Sequence, residues 1–277
     1  MSPSGPSAAP AARSFRPASV ELLGARAHLL GREELMAAVG RAAATRESLT
    51  LHSVNAHWLR LVGTDPSVAA LADRFDLGLL DSTLLCRIVE RRTGVLPERI
   101  TGSDLVPALC ADSARTGLRL FFLGAAPGVG AKAAERAEAL YPGCRIAGVE
   151  APAPAEIDDP DASRALCARI NAARADVLLV ALGMPRQERW LVRHRDDLEA
   201  PVRMGVGASL DFLAGRVKRA PRFIQRAGLE WAWRLAAEPR RLWRRYLVED
   251  LPVMARLLRE TPRRTSRRSP SIQGGKP

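Results

Sequence analysis

The sequence predicts an α/β protein: a Rossmann-like, mostly parallel sheet with helices on both faces, followed by a basic α-helical C-terminal appendage. Three observations carry this. From about residue 20 to 215, apolar runs of strand length alternate with amphipathic stretches, and runs that are apolar throughout mark parallel strands buried on both faces. The turns after these runs are short, often Gly-rich, and open helices. The third is where the charge falls. From residue 216 to the end there are 17 Lys+Arg against 5 Asp+Glu, whereas residues 1 to 215 hold 25 of each, so the whole net charge of +12 lies behind that junction. Such a shift sets off a separate basic module.

The strands are expected at 49–54, 75–80, 118–124, 144–150, 176–182 and 201–207, with helices near 56–63, 82–92, 103–116, 127–140, 161–174 and 185–199. Pro127 is expected as a first helical residue, the position that tolerates its missing N–H. "DDPD" at 158–161 reads as a helix start rather than a metal-binding D-x-D. Pro221 and Pro239 each open a helix in the basic segment. In the second, Leu242, Trp243, Tyr246 and Leu247 share one side and Arg240, Arg241, Arg244 and Arg245 the other. The organisation follows: 1–18 a disordered leader, 19–215 the α/β domain, 216–260 the amphipathic appendage, 261–277 a disordered basic tail.

Several function classes are excluded or left without support. Cys86, Cys110, Cys144 and Cys167 show no C-x-x-C and no His at ligand spacing, so they read as reduced packing residues, and no metal site is expected. No run reaches the length of a membrane span, and the N-terminus lacks the apolar region of a signal peptide. "GVGAS" is not G-x-S-x-G, so a Ser-His-acid triad has no support. "GAAPGVGAKA" is not a P-loop.

In open parallel sheets, ligands bind outside the carboxyl ends of the strands. The residues there are Asn55, Asp81, Gly124 with Gly128 in "GAAPG", Gln187 in "GMPRQE", and Asp211 in "GASLD". Gly-rich turns opening helices hold phosphate through backbone N–H groups, which points to a nucleotide or another phosphorylated ligand. Asp81 reads either as the cap of the next helix or as a general base at the mouth of the site. Glu188 reads as an acid favoured by the helix dipole, and Gln187 as a donor and acceptor toward sugar or phosphate. A basic helix bearing Trp and Tyr suits an anionic membrane surface. Nucleic acid finds no accompanying motif, and none is expected.

Together "VNAHWL", "PERITGSDL", "FFLGAAPG", "ALGMPRQERWL" and "GVGASLDFLAGRVKRAPRFIQRAGLEWAWRLAAEPRRLWRRYL" resemble, in order, the blocks of the WecG/TagA/CpsF glycosyltransferases, family 26, over about residues 20 to 250. The resemblance implies an inverting hexosyltransferase of cell-surface polysaccharide synthesis. It would move a sugar from a UDP-sugar donor to a polyprenyl-diphosphate-linked saccharide, as a cytoplasmic protein peripheral on the inner face of the membrane. No cofactor is implied, since UDP-sugar is a substrate. Asp81 matches the family's proposed base, although Ser82 stands where the family usually has glycine. Ser53 occupies a position often held by Thr. Arg99 and Gln187 match pocket residues, and Asp211 an acid near the nucleotide. Arg219, Arg222 and Arg226 fall in an appendage thought to close over the site. Two other readings stay open: a NAD-type nucleotide-dependent oxidoreductase, which would bind NAD and ignore UDP, and a non-catalytic basic adaptor for membrane or nucleic acid. An apolar appendage also offers a homo-oligomer contact.

Overall fold

The computed structural model of the chain describes residue 15 and residues 17–261, so most of the expected leader and tail lies outside the described residues. Two short strands, β1 (Ser19–Leu22) and β2 (Ala25–His28), form an antiparallel hairpin, and α1 (Arg32–Thr45) follows. Then come β3 (Leu49–Val54), α2 (Ala56–Thr64), α3 (Pro66–Ala69), β4 (Leu77–Leu80), α4 (Thr83–Thr93) and α5 (Gly102–Thr116). Next are β5 (Arg119–Gly124), α6 (Val129–Leu140), β6 (Arg145–Glu150), α7 (Pro154–Asp158), α8 (Pro160–Ala172), β7 (Val177–Ala181), α9 (Arg186–Arg193), β8 (Val202–Gly205) and α10 (Ser209–Leu213). The basic segment holds α11 (Arg222–Arg226), α12 (Glu230–Ala237), α13 (Pro239–Trp243), a π-helical stretch (Arg244–Asp250) and α14 (Leu251–Arg259).

All six expected strands pair in one parallel sheet, in the order β4-β3-β8-β7-β5-β6. A buried strand sends alternate side chains to opposite faces, and the apolar run of β5 does so. Leu120 and Phe122 join a core with α1, α5, α6 and α10. Phe121 and Leu123 join a second core, with α2, α4, α8, α9 and the β1–β2 hairpin. The four cysteines are buried and unpaired.

Four departures from the sequence expectations have physical causes. The hairpin and α1 carry little sequence signal: the hairpin strands span four residues each, and the alanine-rich α1 has only a weak apolar stripe. Pro127 is not helical, because Gly128 takes the N-cap position at φ 78° and the helix begins at Val129. The helix after Pro185 stops at Arg193 rather than near 199. Beyond it the carbonyls of Arg195, Leu198 and Ala200 turn onto the buried Arg203 guanidinium, at 2.8, 2.7 and 2.7 Å, which a continued helix would forbid. Finally, the charge junction at 216 is not where packing stops. Met254 and Leu257 of α14 belong to the same core as Trp58 and Leu59 of α2, and the buried Asp250 pairs with Arg60 at 3.2 Å and lies 3.6 Å from His57.

Candidate active site

The carboxyl edge of the sheet gathers most of the sequence-predicted residues. Ser53 is buried in β3. Asn55, one residue past that strand, caps α2, its Oδ1 accepting from the Trp58 N–H at 3.0 Å. One residue past the adjacent strand, Asp81 is held by its own N–H to the Val54 carbonyl, 3.1 Å. Ser82, not Asp81, caps α4, accepting from the Leu85 N–H at 3.5 Å. The Asp81 carboxyl is therefore left for other work, and Ser82 in place of glycine gives the helix its cap.

Arg99 reaches the same edge because the Ile100 N–H donates to the Leu80 carbonyl, 2.9 Å. Its guanidinium meets Glu230 Oε2 at 3.1 Å and lies 3.7 Å from Asp104. Arg219, from the start of the basic segment, bonds Asp104 at 2.7 Å and the other Glu230 oxygen at 3.3 Å. Asp104 is fixed in turn by the Thr101 hydroxyl, 2.8 Å. Burial opposes its ionisation, but the hydrogen bonds from Arg219 and Thr101 and the Arg99 charge outweigh this and lower its pKa. Burial pushes Asp81 up to about 7. Arg99 and Arg234 pull against that shift, and Glu230 and Asp104 add to it. A carboxyl poised near neutrality beside cations is suited to exchanging a proton with substrate.

Thus the fold brings together Asp81, Arg99 and Arg219, which lie far apart in sequence. It adds Asp104, Glu230 and Arg234, which no sequence pattern singles out. Thr101 and Asp104 have the spacing of a capping box, and Glu230 that of a first-turn acid, so both signals have an ordinary local explanation.

The remaining sequence-predicted residues of that edge are engaged differently. Gln187 is buried: its Oε1 accepts from the Gly207 N–H at 3.1 Å and its Nε2 donates to Glu188 at 2.8 Å. Its amide ties the turn after β7 to the turn after β8 instead of facing a crevice. Glu188 is fully buried, with one oxygen lacking a partner, and burial pushes it to about 7. Loss of water around the carboxyl, rather than the helix dipole, therefore governs how Glu188 ionises. Asp211 pairs with Arg216 at 3.1 Å on α10, and the next residue, Phe212, lies under the Arg234 guanidinium, which is 5.6 Å from the ring centre. Gly124 ends β5 with φ 94°, and a Cβ there would fall 2.7 Å from the Ala181 carbonyl oxygen, while Gly128 faces open space. Arg222 is exposed, and the Arg226 side chain lies outside the described residues.

Two arrangements could mislead. Cys167, His194 and Asp197 lie within metal-binding reach of one another, and Ser163, His194 and Asp197 form a hydrogen-bonded chain at 3.0 and 2.7 Å. Both His194 ring nitrogens are thereby engaged, and Ser163 also accepts from the Trp190 indole at 2.7 Å. Burial drives the Cys167 thiol to about 12, and Ser163 is fully buried, so the network packs α8 against α9 and offers no nucleophile. A groove of about 710 Å³ between α1 and α5, lined partly by Met36, Ala37 and Leu118, opens at the opposite, amino edge of the sheet, away from Asp81.

Fold and site together define a Rossmann-like α/β protein whose ligand edge is covered by an arginine-bearing helical segment. The chain belongs to the glycosyl transferase WecG/TagA/CpsF family, which matches residues 20–267. An N-acetylglucosaminyldiphosphoundecaprenol N-acetyl-beta-D-mannosaminyltransferase from Bacillus spizizenii (strain ATCC 23059 / NRRL B-14472 / W23) is 39% identical over 165 residues, 60% of this chain and 62% of that protein. The match thus spans less than two thirds of that relative's length.

Proposed function

We propose that the protein is an inverting glycosyltransferase that moves a sugar from a UDP-sugar to a polyprenyl-diphosphate-linked saccharide, with Asp81 as general base. The observation that carries this reading is Asp81 itself: a carboxyl held near neutrality at the carboxyl edge, with Arg99 and Arg234 acting on it and Arg219 joined to Arg99 through Glu230. Ionised Asp81 takes the proton of the acceptor hydroxyl as its oxygen attacks the anomeric carbon, and the bond from that carbon to the diphosphate breaks. Charge growing on the departing UDP is met by guanidinium groups. Gln187, through the Gly207 turn, positions the loop leading to Asp211 rather than touching the reacting atoms.

The relative's name supplies the substrates to try first, an N-acetylmannosamine donor and an N-acetylglucosaminyl-diphospho-lipid acceptor. An anionic membrane surface is the proposed docking partner. Phe223 (72% exposed), Trp231, Trp243 (51% exposed), Leu247, Val248 and Leu251 are open to solvent on the basic segment, with exposed Arg222, Arg240, Arg241 and Arg244 among them. No helix among the described residues is long and apolar enough to cross a membrane. The same apolar surface would serve a homo-oligomer when no membrane is present. Transfer is expected to need no added cofactor and to withstand EDTA. The test is transfer from a panel of UDP-sugars by wild type and Asp81→Asn. A variant that keeps wild-type turnover, or a wild type that neither binds UDP nor transfers, rejects the reading.

A further inference from the structure

Glu230 is the first residue of α12, where an acid ordinarily faces solvent and favours the helix dipole. Here its side chain is only 15% exposed and turned inward, one oxygen on Arg99 and the other on Arg219. The two cations that line the Asp81 edge are thus occupied by a carboxylate of the chain itself. Guanidinium groups bind carboxylate and phosphate with the same two-pronged geometry, so this carboxylate stands where an anionic substrate group would go.

The cluster is also short of acceptors. Arg219 Nη2 and Arg234 Nε are buried without hydrogen-bond partners among the described residues, and Arg234, its guanidinium over the Phe212 ring, lies one helical turn beyond Glu230. A group with more oxygens and more charge than one carboxylate would fill what is missing. The two acids differ in how firmly they are held. Asp104 sits on α5, whose Leu105, Val106 and Leu109 are in the core; its carboxylate accepts from the Thr101 hydroxyl and its N–H donates to the same Thr101 oxygen. Glu230 sits on a helix with no buried residue, and its neighbour Trp231 is half-exposed. Of the two, Glu230 is the one that moves at low cost.

We propose that Glu230 is a placeholder: it occupies an anion site formed by Arg99, Arg219 and Arg234 beside Asp81, and a diphosphate binds by displacing it. Naming that diphosphate as part of UDP rests on the proposed function; the site chemistry does not. The displaced carboxylate releases α12, so binding of the anion and movement of the basic segment are one event.

Calorimetric titration of the full chain with inorganic pyrophosphate, and separately with UDP, tests this in wild type and Glu230→Gln. Removing the competitor is expected to tighten pyrophosphate binding roughly tenfold, the gain when the open form held about a tenth of the population. Equal or weaker binding by Glu230→Gln overturns the proposal, because Glu230 would then organise the arginines instead of blocking them. Tryptophan fluorescence of the wild type gives a second readout that does not depend on the variant folding. Saturating pyrophosphate should alter emission from Trp231 and Trp233, and the change should vanish when both are replaced by Phe. No change in the wild type also overturns the proposal. Tighter pyrophosphate binding without UDP binding supports the placeholder and rejects the UDP reading. UDP-sugar transfer by wild type, with no tightening in Glu230→Gln, does the reverse.

Discussion

Gly228 of the basic segment lies directly on Thr83, two residues past Asp81: a Cβ built on Gly228 would stand 3.1 Å from the Thr83 Cβ, and its φ is +73°. The glycine closes α11, its N–H bonded to the Gln225 carbonyl and the next N–H to the Ile224 carbonyl, both 3.0 Å. That is the helix-ending arrangement that asks for a left-handed residue. One residue therefore both turns the chain toward α12 and lets it approach the site.

Gly228→Ala should unseat this contact. The left-handed conformation costs about 1 kcal/mol for a residue with a Cβ, and the methyl group must also push Thr83 away. Limited proteolysis should cut sooner within 216–230, while the melting temperature of the remaining fold changes little. Unchanged cleavage would show that the contact does not hold the segment in place.

Rate should follow the ionisation of Asp81. As the base it works only when deprotonated, so kcat/KM should rise with pH through about 7. Arg99 favours the ionised form and Glu230 disfavours it. Arg99→Gln should therefore move the midpoint up, and Glu230→Gln should move it down. Asp81→Asn should lose about 10²–10⁴-fold in rate while still binding UDP. A pH profile insensitive to all three substitutions removes Asp81 from the mechanism.

Glu188 bears on stability rather than rate. Its pKa in the folded chain, about 7, exceeds the ordinary 4.5, so the folded state holds a proton that the unfolded state has released between those values. Stability is complete below about 4.5 and falls as pH rises through 7. Asp81, raised from 3.8, acts in the same direction. Glu188→Gln should flatten this loss, gaining on the order of 2 kcal/mol relative to wild type at about pH 8 but not at about pH 4. Melting curves at the two pH values decide it.

Asp250→Ala should destabilise the whole fold, not only the basic segment. It removes the carboxylate 3.2 Å from the Arg60 guanidinium, only 19% exposed, and leaves Glu249, 3.1 Å away, to hold that cation alone, a loss of about 1–3 kcal/mol. Leu257→Ala, in the core beside α2, should cost about 2–5 kcal/mol. Denaturant titration followed by far-UV circular dichroism measures both. A loss confined to the C-terminal helices would mean that the charge junction is a true folding boundary.

How much is legible in the sequence differs from one residue to the next. Strands such as β4 and β7 stand out because a strand buried on both faces must be apolar throughout, and that composition survives any rearrangement of the strands. Asp81 stands out because a polar residue closing such a run falls at the sheet's edge whatever its neighbours. Met254 and Leu257 do not, since an apolar stripe does not say which surface it covers.

The sequence by itself therefore determined the layers, the ligand edge and the concentration of cations behind residue 215. Only the tertiary structure decided that Arg99 meets Glu230, 131 residues away, that Gln187 faces inward, and that α14 completes the core. The reason is physical. Periodicity and composition act over a few residues, whereas these contacts depend on strand order and on how helices dock. Both are settled by the joint burial of surfaces that no single segment contains.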